Sequence, residues 1–231
     1  MYQRCSLLTL ACLTVCLAAS RVAADVVLDT FNDAHDKTLS GPDQVDVDLF
    51  RASGELFDLR YEILGIEGTA SDYTAVSVTP GSMQVSQSAG AKSFVSLGYH
   101  ATTPSELSGL TEIDFPVERR LEIVLSDFDP GVSGSLDISV KLIDILGTQA
   151  TGTIVRFEQA SAGPTTAGID LTPFAVNFDR MEEMYVQFDY VGGASFSINE
   201  VRLVSVPEPA SATLLAVVSA VLTMRSRRRQ A

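Results

Sequence analysis

From Asp25 to Val204 the apolar residues recur mostly at every second position, not with the 3.6-residue period of a helix. Leu121, Ile123 and Leu125 alternate with Glu122, Val124 and Ser126, and Leu136, Ile138, Val140 and Leu142 alternate with Asp137, Ser139 and Lys141. Val186, Phe188 and Tyr190 alternate with Gln187 and Asp189, and Phe57, Leu59, Tyr61 and Ile63 with Asp58, Arg60 and Glu62. A two-residue period puts alternate side chains on opposite faces of a strand, so each run offers one face to a core and one to water. Turn-forming clusters separate the runs: Ser40-Gly41-Pro42-Asp43, Thr79-Pro80-Gly81, Asp129-Pro130-Gly131, Ala162-Gly163-Pro164 and Gly192-Gly193. About ten to twelve strands and one short helical turn near 179–184 are expected. Many short strands punctuated by Gly and Pro predict an all-β antiparallel sandwich.

One run breaks the alternation. Phe196 and Ile198 share a phase, but Val201 and Leu203 fall on the other. Keeping all four inside requires an extra residue near Asn199-Glu200, which predicts a β-bulge there.

Charge and cysteine content narrow the chemistry. The chain has 231 residues and a formal charge of −13, but residues 25–205 alone hold 28 acidic and 10 basic residues, a net −18. That acidity disfavours nucleic acid, whose phosphates it would repel. Cys5, Cys12 and Cys16 all lie in the first 24 residues. The remainder therefore has no disulfide, thiolate metal site or cysteine nucleophile. About 180 residues suits one domain with a real core.

The two ends address the protein. Arg4 followed by an apolar stretch over residues 5–19, then Val22-Ala23-Ala24, reads as a signal peptide over 1–24 with cleavage between Ala24 and Asp25. Such a leader sends the chain through the Sec translocon. At the other end, residues 206–231 place Pro207-Glu208-Pro209 before an uncharged apolar run over 210–224, closed by Arg225, Arg227, Arg228 and Arg229. Fifteen helical residues span only ~22 Å against a ~30 Å hydrocarbon core, which suits transient anchoring. The arginines would stay in the cytoplasm and the preceding domain outside.

This tail resembles the PEP-CTERM sorting signal of exported proteins of Gram-negative bacteria, carried by Pro207-Glu208-Pro209, the hydrophobic stretch and the Arg cluster in that order. The resemblance implies recognition by an exosortase, a membrane-embedded protease that cuts near the Pro-Glu-Pro. The product would then be at the cell surface or extracellular.

Inside 25–205, the residues at 26–33 (Val-Val-Leu-Asp-Thr-Phe-Asn-Asp) and 196–203 (Phe-Ser-Ile-Asn-Glu-Val-Arg-Leu) resemble the first and last strands of jelly-roll carbohydrate-binding modules. This chain departs from them at Asn199-Glu200, where Asp-Asn is more usual. The resemblance implies Asp29, Asp33, Asn199 and Glu200 as candidate ligands for a structural Ca²⁺, consistent with a hard cation's demand for oxygen. No EF-hand spacing is present.

No catalytic residue emerges. His35 and His100 both sit beside turn-like residues and read as exposed loop histidines, and no Gly-x-Ser-x-Gly elbow accompanies them. Carboxylate pairs such as Asp127/Asp129, Asp46/Asp48 and Glu182/Glu183 are what 28 acids supply by chance. Asp46 and Asp48, two apart in an alternating strand, belong on the solvent face. The chain has no Trp, and Tyr61 and Tyr190 share the phase of core residues, which leaves few aromatics to stack on a sugar. The expected function is a secreted, exosortase-processed structural or adhesive envelope protein without enzymatic activity. The alternative is a carbohydrate-binding module for an extracellular polysaccharide, and the third reading a glycoside hydrolase-like enzyme.

Overall fold

The computed structural model describes residues 25–54, 57, 59–100, 120–152 and 154–204. The expected signal peptide over 1–24 and sorting segment over 206–231 lie outside the described residues, apart from Asp25 at the cleavage point. Among the described residues no helix is long and apolar enough to cross a membrane.

Among the described residues, fourteen antiparallel strands form two seven-stranded sheets. The first sheet runs in the order β12 (Thr165–Asp170), β8 (Arg120–Asp129), β14 (Ser195–Val204), β6 (Ser82–Gln87), β5 (Tyr73–Thr79) and β2 (His35–Ser40), and β1 (Val26–Asp29) also pairs with β14. The second runs β10 (Gln149–Thr151), β9 (Leu136–Asp144), β13 (Met181–Val191), β7 (Lys92–His100), β4 (Leu59–Glu67) and β3 (Gln44–Arg51), with β11 (Val155–Phe157) also on β9. All five turn clusters fall between strands or just before β12. The helical turn is a single 3₁₀ turn at Phe178–Arg180, and strand begins at Met181, earlier than expected.

The core lies between the sheets. Leu121, Ile123 and Leu125, then Leu136, Ile138, Val140 and Leu142, then Val186, Phe188 and Tyr190 are all buried, as their alternation requires. The bulge is where the phase break demands it. Ile198 faces Leu125 and Glu200 faces Val124, so Asn199 is the extra residue. On either side of it β14 changes neighbour, from β6 (Ile198 against Met83) to β1 (Val201 against Asp29). The Asn199 Oδ1 accepts hydrogen bonds from Ser82 Oγ and Ser126 Oγ, both at 3.3 Å, and ties three strands at that junction.

The phase expected for β4 is corrected. Arg60, Glu62, Leu64 and Ile66 point between the sheets, while Tyr61 and Ile63 are half-buried on the outward face. Leu64 and Ile66 fix the phase by their burial, and the two charges they draw inside are met by partners on other strands. Arg60 Nη1 donates to Asp29 Oδ2 at 2.5 Å, with neither side chain accessible to solvent. His35 Nε2 lies 3.1 Å from Glu62 Oε2, and the His35 ring stacks on Phe50 at 3.7 Å. The Arg60 guanidinium also sits over the rings of Phe31 and Phe50, 5.0 and 5.5 Å from their centroids. Burial opposes the charge on Arg60, yet Asp29 and the other negative groups around it hold its pKa above the ordinary value. Burial pushes the Glu62 carboxyl up, against the pull of His35 and Arg60.

Asp46 and Asp48 follow the same correction. They are about half-exposed, but on the side of β3 that faces the opposite sheet, where Lys37 from β2 pairs with both. The solvent-side positions of β3 are instead Val45, Val47 and Leu49, all exposed. One edge of the sandwich is therefore closed by ion pairs.

Candidate binding face

The outward face of the second sheet is built by register. Leu49, Tyr61, Gly98, Tyr185, Lys141 and Thr151 stand opposite one another in successive strands from β3 to β10. A neighbouring row carries Val47, Ile63, Ser96, Gln187 and Ser139. The face thus changes from apolar on β3 and β4 to hydroxyl, amide and ammonium on β13, β9 and β10. Five interstrand spacings of ~4.8 Å make it about 24 Å across.

Two glycines shape it. A Cβ on Gly98 would stand 2.6 Å from Tyr185 Cε1, and one on Gly65 would stand 2.2 Å from Phe94 Cε1. Each ring occupies the space a side chain would need, so Tyr185 and Phe94 lie low across their neighbours. The His100 ring packs edge-on to Tyr61 at 4.9 Å and to Tyr185 at 6.2 Å. Beside this aromatic group is a depression of about 330 Å³ lined by Ser96, Ser139, Lys141, Thr151, Tyr185 and Gln187.

The acids on the face are engaged within the protein. Glu183 Oε1 is 3.2 Å from His100 Nε2. Arg156 grips Asp137 with two hydrogen bonds of 2.6 Å, and Gln187 Nε2 donates to both oxygens of Asp189. Burial lowers the His100 pKa, with Glu183 opposing. Burial, and then the Glu183 carboxylate beside it, push the Tyr185 hydroxyl well above its ordinary range.

Neither histidine is an exposed loop residue. His35 opens β2 and His100 closes β7, with side chains 15% and 14% exposed and each paired with a glutamate. Tyr190 is buried as expected and shares a 2.6 Å hydrogen bond with Thr74. Tyr61 is not in the core, and this corrects its reading as a packed residue. Tyr185 was legible as outward by parity with Val186, Phe188 and Tyr190, and Gly65 and Gly98 inside strands were the signal of close approach.

The oxygens expected to bind calcium are placed apart in role. The Asp29 carboxylate is buried and accepts from Arg60, the Phe31 N–H and Ser53 Oγ. Asp33 accepts from the Arg51 N–H, Asn199 from two serines, and Glu200 from Arg202. Among the described residues no group of three or more His, Cys, Asp or Glu is arranged to hold a metal ion. β1 and the bulge are neighbours, as Asp29 opposite Val201 requires, and the Asp29 and Glu200 carboxylates each accept a hydrogen bond within the chain. Asp129 likewise accepts from the Gly131 N–H in its turn, and Asp127 is exposed with φ +54°.

No family model matches the chain, and neither does any curated protein. Among solved structures it is similar to the family 11 carbohydrate-binding module of the cellulosomal cellulase Lic26A-Cel5E of Clostridium thermocellum, at 11% identity and a TM-score of 0.38, covering 79% of this chain and 95% of that one. A carbohydrate-binding module specific for non-crystalline cellulose matches at 10% identity and 0.37, covering 69% and 82%. The agarase AgWH50C matches at 6% identity and 0.38, covering 62% of this chain and 22% of the enzyme. At such scores none of these likenesses decides what this chain binds.

Proposed function

We propose that the domain is a carbohydrate-binding module that holds an extracellular polysaccharide across the outward face of its second sheet. The observation that carries this reading is the row Leu49, Tyr61, Gly98, Tyr185, Lys141 and Thr151, in which aromatic rings stand beside hydroxyl and ammonium groups. A pyranose offers the same pairing, with apolar C–H faces for the rings and hydroxyls for the polar groups. The role is binding without hydrolysis, in a jelly-roll-like sandwich. Affinity electrophoresis of the purified protein in gels containing cellulosic, mixed-linkage or uronic acid polymers tests it. Retardation by at least one polymer, lost in the Tyr61→Ala/Tyr185→Ala variant with its fold intact, is the expected result. Mobility unchanged in every gel would overturn the reading.

The sequence motifs at the two ends support export by the Sec translocon and processing by an exosortase in a Gram-negative host, with the mature protein at the cell surface or released. Mass spectrometry of the exported product should recover a C-terminus near Pro207 and no peptide containing Arg225–Arg229. An intact C-terminus in the envelope fraction would exclude processing.

A further inference from the structure

Resting on the proposed binding face, we infer that its polysaccharide is acidic, with a carboxylate on the sugar ring that pairs with Lys141. The polar groups of the face differ in whether the chain itself provides a partner. The acids are answered within the chain: Asp137 by Arg156, Glu183 by His100 and Asp189 by Gln187. Lys92, on the same face, pairs with Glu67 at 3.2 Å. Lys141 has no ion pair or hydrogen bond from its side chain among the described residues. Yet it stands between Tyr185 and Thr151, one strand in from the β10 edge, and lines the depression with Ser96, Ser139 and Gln187.

Among the six residues that line the depression, Lys141 alone carries a charge, and the other five offer hydroxyls or an amide. A neutral sugar satisfies the hydroxyls but leaves the ammonium unmatched. A uronic acid supplies both sets, its ring hydroxyls to the serines and Gln187 and its carboxylate to Lys141 in a charge-assisted hydrogen bond. The domain's net −18 argues against a general attraction to polyanions. Discrimination must therefore come from this local pair, and a single substitution should remove it.

The test compares polygalacturonate, the same polymer with its carboxyls reduced to alcohols, and a neutral β-glucan, each titrated against the purified protein by calorimetry. The wild type should prefer polygalacturonate to its reduced form by about tenfold or more. Lys141→Gln should erase that preference, bringing the charged and reduced polymers to equal affinity, and Lys92→Gln should leave the preference intact. Equal affinity of the wild type for the charged and reduced polymers, or a preference that survives Lys141→Gln, would overturn the inference and leave the binding face standing. Silence toward all three polymers would remove the inference and weigh against the binding face as well.

Discussion

Asp29→Ala should destabilise the domain by about 3–5 kcal/mol, read as the shift of the urea unfolding midpoint, because it strands a guanidinium inside the sandwich. Arg60 has no solvent exposure, its Nε and Nη2 already lack a hydrogen-bond partner among the described residues, and Asp29 is its ion-pair partner. The same substitution removes the acceptor for the Phe31 N–H, in a residue held at φ +55°. A loss of that size approaches the whole stability of an ordinary domain. Adding Arg60→Met should restore a large part of it, since an apolar side chain of similar length needs no counter-charge. If Asp29→Ala costs under about 1 kcal/mol, or the double variant is no better than the single one, the pair does not hold that edge.

A second large loss is expected on the apolar side of the sandwich. Ile123 is fully buried between Ala167 of β12 and Val201 of β14. Ile123→Asn leaves both a void and a buried amide without partners, a combination that should cost about 4 kcal/mol or more. Val124→Asn, one residue on and facing outward, should stay within about 1 kcal/mol of wild type. Circular dichroism melts of the two variants compare them directly, and similar melting temperatures would mean that the phase of β8 is wrong. Glu122 is a poorer outward control. It pairs with Arg202 at 2.9 Å and lies 3.6 Å from Arg120, so reversing its charge would set three cations together.

Where alternation of apolar and polar residues coincided with burial, the architecture was readable directly. β8, β9 and β13 follow their sequence phase, and the misfit between Ile198 and Val201 is enough to locate the bulge. β4 was misread because polarity is an indirect sign of exposure. Arg60 and Glu62 are inside since Asp29 and His35 reach them from residues 31 and 27 positions away, and no local pattern records such partners. Tyr61 was lost to the candidate site by the same inversion. The face itself depends on the order β9, β13, β7, β4, which places Lys141, Tyr185 and Tyr61 abreast. Non-consecutive strand order is a property of the whole chain, and no window of sequence contains it.

The position of β14 bears on when the chain can fold. It is the strand that joins β8 to β6 in the first sheet, and β1 also pairs with it. Until residues 195–204 are available, β12 with β8 and β6 with β5 and β2 are separate fragments with open edges, and β1 has no partner strand. Pairings between segments so distant form slowly, because long loops must close before any contact repays their entropy. A nascent chain emerging from its N-terminus therefore cannot complete its first sheet until nearly the whole domain has appeared. That delay exposes it to aggregation in a crowded compartment, but an unfolded chain is also the form that can be threaded through a narrow channel and allowed to fold on the far side.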